Sequence, residues 1–419
     1  MNLMVDKTIL QKLYFSDGDR QVNRYAQALG EFEQAFGRRD HVRVFSAPGR
    51  SEIGGNHTDH QRGRVLAAAV TLDMLAVVSA RTDENICIRS GGYAPIQVSL
   101  ADLSPKTGES NSSAALVRGV AAALKNMGYR LGGFDACVFS DVAKGSGLSS
   151  SAAYSVLIAT VFSHLFNEGS IPAVEQALAG QHAENIFFGK PSGLMDQLAS
   201  ASGGFVAIDF ADPEHPVIER VDCDLEALGF AVCIVNAGGS HADLTPEYAA
   251  VPAEMGSVAA QFGKKWLSEV DAQTFFDEIG QLRGKVGDRA LLRAIHFFEE
   301  NARVPLQVAA LKSGDMDAFR QLMLGSGYSS FMQLQNVCPA SPQERSVALA
   351  LALSARLLRH TGAWRIHGGG FAGTIQALVP LAQVDAYRDE MERVFGTGCC
   401  YRLAVRPVGG VEIPVHEMK

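Results

Sequence analysis

The chain has 419 residues, 47% of them apolar, and a formal net charge of −8. That length exceeds what one hydrophobic core usually supports, so two domains are expected. The acidic balance and the lack of a basic run argue against nucleic acid as a partner and favour a small-molecule ligand.

The first residues, MNLMVDKTILQK, carry charges where a signal peptide needs its apolar core. Apolar stretches are too short or too interrupted to span a bilayer, and Asp73 breaks one of them, so a cytoplasmic protein without a membrane partner is expected. The seven cysteines include no CxxC pair and sit mostly in apolar, strand-like runs. They read as reduced core thiols, with adjacent Cys399 and Cys400 facing opposite ways along a strand.

Residues 21–37, QVNRYAQALGEFEQAFG, place apolar side chains at helical spacing and end on Gly37, a C-terminal cap signal. HVRVFSAPGR (41–50) reads as a short strand that breaks at Ala47, Pro48 and Gly49. The polar cluster SEIGGNHTDHQRG and the apolar strand RVLAAAVTL follow, so polar residues are delivered on a turn between two buried strands. Further strands are expected at 75–80 and 86–89, then a helix at 113–127 opened by Asn111, Ser112 and Ser113. GGFDACVFSDV (132–142) reads as a strand, AKGSGLSSSAA (143–153) as a glycine-rich turn, and YSVLIATVFSHLF (154–166) as a helix.

A helix at 173–188 leads into GKPSGLMDQLASASGG and a strand at 204–210, and charge with prolines in ADPEHP (211–216) suggests a hinge. The second half opens with a strand at 229–238 and is mainly helical to about residue 359, with helices at 316–324 and 342–360. AWRIHGGGFAGTIQALVP (363–380) then reads as strand, glycine turn and strand, before a helix at 383–395 and a strand at 399–405. The expected architecture is α+β, with domains 1–215 and 216–419 meeting at a cleft.

The turn at 143–153 has the layout of a phosphate site. Gly145 and Gly147 allow close approach of backbone to ligand, and the following helix offers free N–H donors to an anion. A Rossmann turn wants a third glycine where Ser150 stands, and no Walker lysine follows, so neither of those sites fits. Ser149, Ser150 and Ser151 offer hydroxyls to phosphate oxygens or to Mg²⁺.

Arg50, Glu52, Asn56, His57, Asp59 and His60 put six polar side chains into one turn, more than a solvated loop needs. His57, Asp59 and His60 suggest metal ligands, but no HExxH helix accompanies them, and recognition of a polyol fits better. Asp196 lies among small and apolar residues after a helix carrying Glu184; it is either a working carboxylate or the cap of the next helix. HGGGFAGT is either a tight strand turn or a place where backbone meets ligand.

Together these stretches resemble the galactokinase branch of the small-molecule kinase superfamily that includes homoserine, mevalonate and phosphomevalonate kinases. The resemblance spans most of the chain: APGRSEIGGNHTDHQRGRVL is similar to the galactokinase N-terminal signature, GSGLSSSAA to the superfamily's phosphate loop, and RIHGGGFAGT to its third motif. AEN (183–185), SGLMDQ and Tyr248 occur in the matching order.

The resemblance implies an ATP- and Mg²⁺-dependent sugar 1-kinase with its site in the interdomain cleft, acting on galactose. It implies that Asp196 accepts or orients the proton of the anomeric hydroxyl and that Arg50 offsets charge on the phosphoryl group. Gly145, Ser146, Gly147, Leu148, Ser149, Ser150 and Ser151 would surround the ATP phosphates, with Ser151 and Glu184 as Mg²⁺ ligands. Asn56, His57, Asp59, Gly193 and Tyr248 would contact the sugar, and Gly368, Gly369 and Gly370 would close near the reacting end.

Four places depart from the family pattern. Asn56 stands for the usual glutamate and His60 for the usual tyrosine, Ala143 replaces a proline, and AAVPAEM replaces an arginine-rich run. A neutral amide makes a weaker bond than a carboxylate, so another sugar, such as L-arabinose or an amino sugar, stays open beside galactose. A non-catalytic sugar and ATP sensor is the reading from another class. A monomer or weak oligomer is expected.

Overall fold

The computed structural model describes residues 3–142, 147–213, 215–239 and 244–417. Two antiparallel-rich sheets organise it. The first is built on β1 (Arg43–Gly54) and the long β2 (Arg64–Ala80), which pair antiparallel with register shifts near Pro48/Arg50 and Glu52/Gly54. These irregularities mark the expected break at Pro48 and Gly49, but the strand continues through it and carries Arg50 and Glu52 onward.

β2 is one 17-residue strand where the sequence suggests two. Asp73 reads as an interruption, yet it is fully buried and paired with Arg24 (2.5 Å), Arg406 (3.1 Å) and the Tyr14 hydroxyl (2.5 Å). With its charge compensated by partners distant in sequence, it no longer stops a strand.

Beyond β2 the sheet adds Phe134–Ser140, then Asn85–Ser90 in parallel pairing, then Ile96–Ser99. The other end of β2 pairs with Phe205–Asp209, and that strand with Val217–Val221. Val411–Ile413 closes the edge beside β1, so segments from both halves of the chain build this sheet.

Three helices pack against the first sheet, α1 (Ser113–Asn126), α2 (Ser150–Phe166) and α4 (Met195–Ser202), and α3 (Ala173–His182) lies against all three. Ser112 caps α1, its side chain accepting from the Ala115 amide. The expected helix at 173–188 changes character at its end: Ala183–Phe188 winds as a π-helix, with the amides of Gly189 and Lys190 both donating to Glu184 O. Such a widened turn often marks a functional position.

The second sheet has four antiparallel strands, in the order β3 (Ala363–Ile366), β4 (Gly373–Pro380), Phe230–Gly238 and Cys400–Leu403. Alternation along Phe230–Gly238 sends Ala231, Cys233, Val235 and Ala237 to a core under the helices Ser346–Leu358 and Val384–Phe395, and Val232 and Ile234 to the core shared with the first sheet. Cys399 and Cys400 do not face opposite ways; Cys399 precedes the strand and both join the same core cluster. The cysteines of the described residues are all free thiols. Among the described residues no helix is long and apolar enough to cross a membrane.

Candidate active site

β1 delivers Arg50 and α4 delivers Asp196 to one point. Arg50 Nε donates to Asp196 Oδ1 at 2.7 Å and NH2 donates to Oδ2 at 2.9 Å, a two-point charge-assisted contact. Asp196 does not cap its helix: it is the second helical residue, and its carboxylate turns to Arg50 and to the Ser149 hydroxyl, which donates to Oδ2 at 2.6 Å. Burial pushes the carboxyl up, but the Arg50 charge and the hydrogen bonds from Arg50 and Ser149 outweigh it and hold Asp196 below the usual carboxylate range.

The phosphate turn meets the same point. Arg50 NH1 donates to Gly147 O, and the Arg50 amide donates to Leu148 O at 3.1 Å. Gly147 has φ 72°, and a Cβ there would lie 2.9 Å from His367 Nδ1 and Thr374 Oγ1, so the position demands glycine twice over. Leu148 is a fully buried core side chain, leaving only its backbone for other duties. Ser149 takes the left-handed conformation just before α2, and Ser150 and Ser151 open that helix, half-buried. Gly145 and Ser146 lie outside the described residues.

Glu184, on the π-turn, is buried beside this group and contributes to the field at Arg50. Its Oε2 accepts from Ser192 Oγ and lies 3.4 Å from Lys190 Nζ. Its Oε1 is buried without a hydrogen-bond partner among the described residues. A bare carboxylate oxygen of this kind fits a hard cation such as Mg²⁺, which takes oxygen ligands and completes its shell with water and phosphate. Among the described residues, no three His, Cys, Asp or Glu side chains gather as a ready-made metal site, and His57 spends Nε2 on a carbonyl, which counts against a zinc centre.

Three of the expected sugar residues, Asn56, His57 and Tyr248, converge on the turn between β3 and β4. Its three successive carbonyls each take one of them: Gly368 O accepts from Asn56 Nδ2 (2.8 Å), Gly369 O from His57 Nε2 (3.0 Å) and Gly370 O from the Tyr248 hydroxyl (2.8 Å). Because a carbonyl only accepts, the His57 proton sits on Nε2. Burial, with His60 beside it, pushes the His57 imidazole down to about 4, so it is neutral near pH 7. Asp59 Oδ2 faces Gly193, where a Cβ would come within 2.9 Å of it. Asp59 Oδ1 accepts from the His60 amide at 2.9 Å, while the His60 side chain is 42% exposed.

Five further side chains brace this turn and the neighbouring Gly55–Asn56 backbone, and three of them, Glu300, His296 and Asn336, stand outside every motif read from the sequence. Glu52 Oε1 accepts from Arg365 NH2 (2.7 Å) and Asn56 Nδ2 (3.0 Å). Glu300 Oε1 accepts from the Gly55 amide (3.0 Å) and Ser326 Oγ (2.7 Å). His296 Nε2 donates to Asn56 O at 2.8 Å, and Asn336 Nδ2 donates to Asn56 Oδ1 at 2.9 Å. His367 lies between Ser51 Oγ and Thr374 Oγ1, 3.1 Å from each. Glu52 stands in the polar run 50–60, but its partners lie more than three hundred residues away in sequence for Arg365, beyond any local pattern.

A family model described as the galactokinase galactose-binding signature matches residues 30–80, and one for the N-terminal domain of GHMP kinases matches residues 101–204. A galactokinase of Streptomyces coelicolor is 32% identical over 357 residues, which is 84% of this chain and 88% of that protein. The chain belongs to the galactokinase family. Within it, this member is a sugar kinase by class, and the two-sheet α+β fold is the family's own. The galactokinase of Lactococcus lactis, solved in complex with galactose, superposes with a TM-score of 0.78 at 25% identity, covering 93% of this chain and 99% of that one. A mevalonate kinase superposes with a TM-score of 0.61 at 14% identity, covering 87% of this chain and 99% of the other, a likeness of fold.

Proposed function

We propose that this galactokinase-family member transfers the γ-phosphoryl group of ATP to the anomeric hydroxyl of galactose, giving galactose 1-phosphate. The observation that carries the reading is the Arg50–Asp196–Ser149 group at the start of α2, with the bare Oε1 of Glu184 close by. Phosphoryl transfer asks mainly for positioning and charge stabilisation, and this group supplies both.

Asp196 is held ionised, so it is a weak base that orients the attacking hydroxyl and takes its proton late, as a loose transition state requires. Arg50 keeps that carboxylate in place and ties it to Gly147 O, so the proton acceptor and the phosphate turn move as one unit. Ser151 and Glu184 would hold Mg²⁺, which when bound neutralises charge on the ATP phosphates. His57, Asp59, Tyr248 and the backbone at Gly193 would hold the sugar, with the Gly368–Gly370 turn closing over it. Residues 1–215 would carry nucleotide and sugar, and residues 216–419 would close the cleft apart from Val217–Val221 and Val411–Ile413, which complete the first sheet. The enzyme would work in the cytoplasm, as a monomer or weak oligomer.

A second reading keeps the chemistry and changes the sugar. It is favoured by one observation: the Asn56 side chain is bonded to Glu52, Gly368 and Asn336, not turned outward. Sugar-dependent ADP release over a panel of free sugars, with phosphorus NMR of the product, tests both. Turnover of galactose to an anomeric phosphate is expected; turnover of a pentose or amino sugar without galactose would give the second reading the field.

A further inference from the structure

The amide of Asn56 has two N–H donors and two acceptor positions, and all are taken inside the protein. Nδ2 donates to Glu52 Oε1 (3.0 Å) and Gly368 O (2.8 Å); Oδ1 accepts from Asn336 Nδ2 (2.9 Å) and Ser330 Oγ (3.4 Å). Since Gly368 O only accepts, the amide cannot be turned the other way round. Asn56 therefore has nothing left with which to read a sugar hydroxyl.

The same logic fixes Asn336 and leaves a different result. Its Nδ2 donates to Asn56 Oδ1 and to Gly369 O (3.2 Å), both acceptors, so its orientation is also determined. Its backbone is pinned, with Asn336 O accepting from the Phe371 amide at 2.5 Å. What remains is Oδ1, fully buried and without a donor among the described residues. A buried oxygen left without a hydrogen bond is costly unless something supplies a donor.

Its location identifies the supplier. Gly369 O, which Asn336 touches, is also the acceptor for His57 Nε2, and His57 Nδ1 is a second buried acceptor without a partner among the described residues. Two bare acceptors thus flank one carbonyl of the turn on which the sugar residues converge. Both ask for a donor, and hydroxyl groups are what a sugar brings.

We propose that Asn336 is a specificity-determining residue of the sugar site, its Oδ1 accepting a hydrogen bond from one sugar hydroxyl that Asn56 does not read. This rests on the sugar-kinase reading above. The preferred substrate carries a free hydroxyl at that position; a hydrogen, fluorine or O-methyl group there leaves Oδ1 unmet.

The test is a cycle of kcat/KM values for the best sugar and its singly deoxygenated analogues, in the unaltered enzyme and in Asn336→Ala. One analogue loses about tenfold or more in the unaltered enzyme, and that loss disappears in Asn336→Ala while the losses at other positions persist. A merely structural role for Asn336 would lower all sugars by one common factor, and that outcome overturns the proposal while leaving the kinase reading intact. Absence of turnover by the unaltered enzyme on every sugar would instead overturn the kinase reading and this inference with it. If Asn336→Ala does not fold, a crystal structure of the unaltered enzyme with its sugar decides: a sugar oxygen within hydrogen-bond distance of Oδ1 supports the assignment, and a water or protein donor there overturns it.

Discussion

Asp196 and Arg50, 146 positions apart in sequence, meet in a two-point contact of 2.7 and 2.9 Å, and Arg50 reaches on to Gly147 O. The carboxylate thereby gains a fixed orientation at the mouth of the phosphate turn. Replacing it by the isosteric amide keeps the shape and removes the proton acceptor. Asp196→Asn is expected to lose roughly a hundred- to ten-thousand-fold in kcat for sugar-dependent ATP turnover, with sugar binding by calorimetry retained. Activity within a few-fold of the unaltered enzyme would show that this carboxylate is dispensable.

Glu184 offers a second, separable effect. Its Oε2 is engaged with Ser192 and Lys190, so Oε1, unbonded among the described residues, is the atom available to a cation. Glu184→Gln preserves size and takes away the charge that Mg²⁺ prefers. The Mg²⁺ concentration for half-maximal activity is expected to rise by about tenfold or more, with partial recovery at high Mg²⁺. An unchanged Mg²⁺ titration would remove Glu184 from the metal site.

Two glycines with similar backbone angles allow steric and conformational effects to be told apart. Gly147 has φ 72° and Gly368 has φ 67°, but a Cβ at Gly147 would meet His367 and Thr374 at 2.9 Å, whereas one at Gly368 meets nothing within 4 Å. Both alanine variants bear the left-handed penalty of roughly 1–2 kcal/mol. Gly147→Ala should add a selective rise in the KM for ATP, because the clash pushes on the phosphate turn. Equal ATP kinetics in the two variants would mean that Gly147 does not shape that turn.

The motifs that sequence made readable are those whose residues are neighbours in the chain: the serine-rich turn, SGLMDQ and the glycine turn at 368–370. Glycine conformational demands and helix starts are local, so they leave local marks. The pairings that support the site leave none, because Arg365 reaches Glu52 across 313 positions and Asn336 reaches Asn56 across 280. The same gap explains why Asp196 looked as much like a cap as a working carboxylate, since only Arg50 decides between them. It also explains why Asp73 reads as a break in an apolar stretch: Tyr14, Arg24 and Arg406, which make its burial tolerable, come from three distant segments.

The site is also built on buried neutral histidines, and that has a consequence for stability. Burial pushes down His57, to about 4, as well as His296 and His367; for His367 the charges of Arg50 and Arg365 add to it. In the unfolded chain each takes up a proton as pH falls through about 6.5, while in the folded protein His57 stays neutral to about 4. The unfolded state then binds more protons than the folded one, so stability falls as pH drops below about 6.5, by up to about 1.4 kcal/mol per pH unit for each histidine that stays neutral. Glu52, pushed up by burial, opposes this with one proton from above its usual range downward. Urea melts at pH 7.5, 6 and 5 should therefore show a steady loss, and His296→Gln should make the slope shallower. Over the same range His57 stays neutral and Asp196 ionised, so the sugar KM should stay level while the melting midpoint declines. A midpoint that holds steady from pH 7.5 to 5 would mean these imidazoles accept protons in the folded state, and the neutral, Nε2-protonated His57 would have to be given up with them.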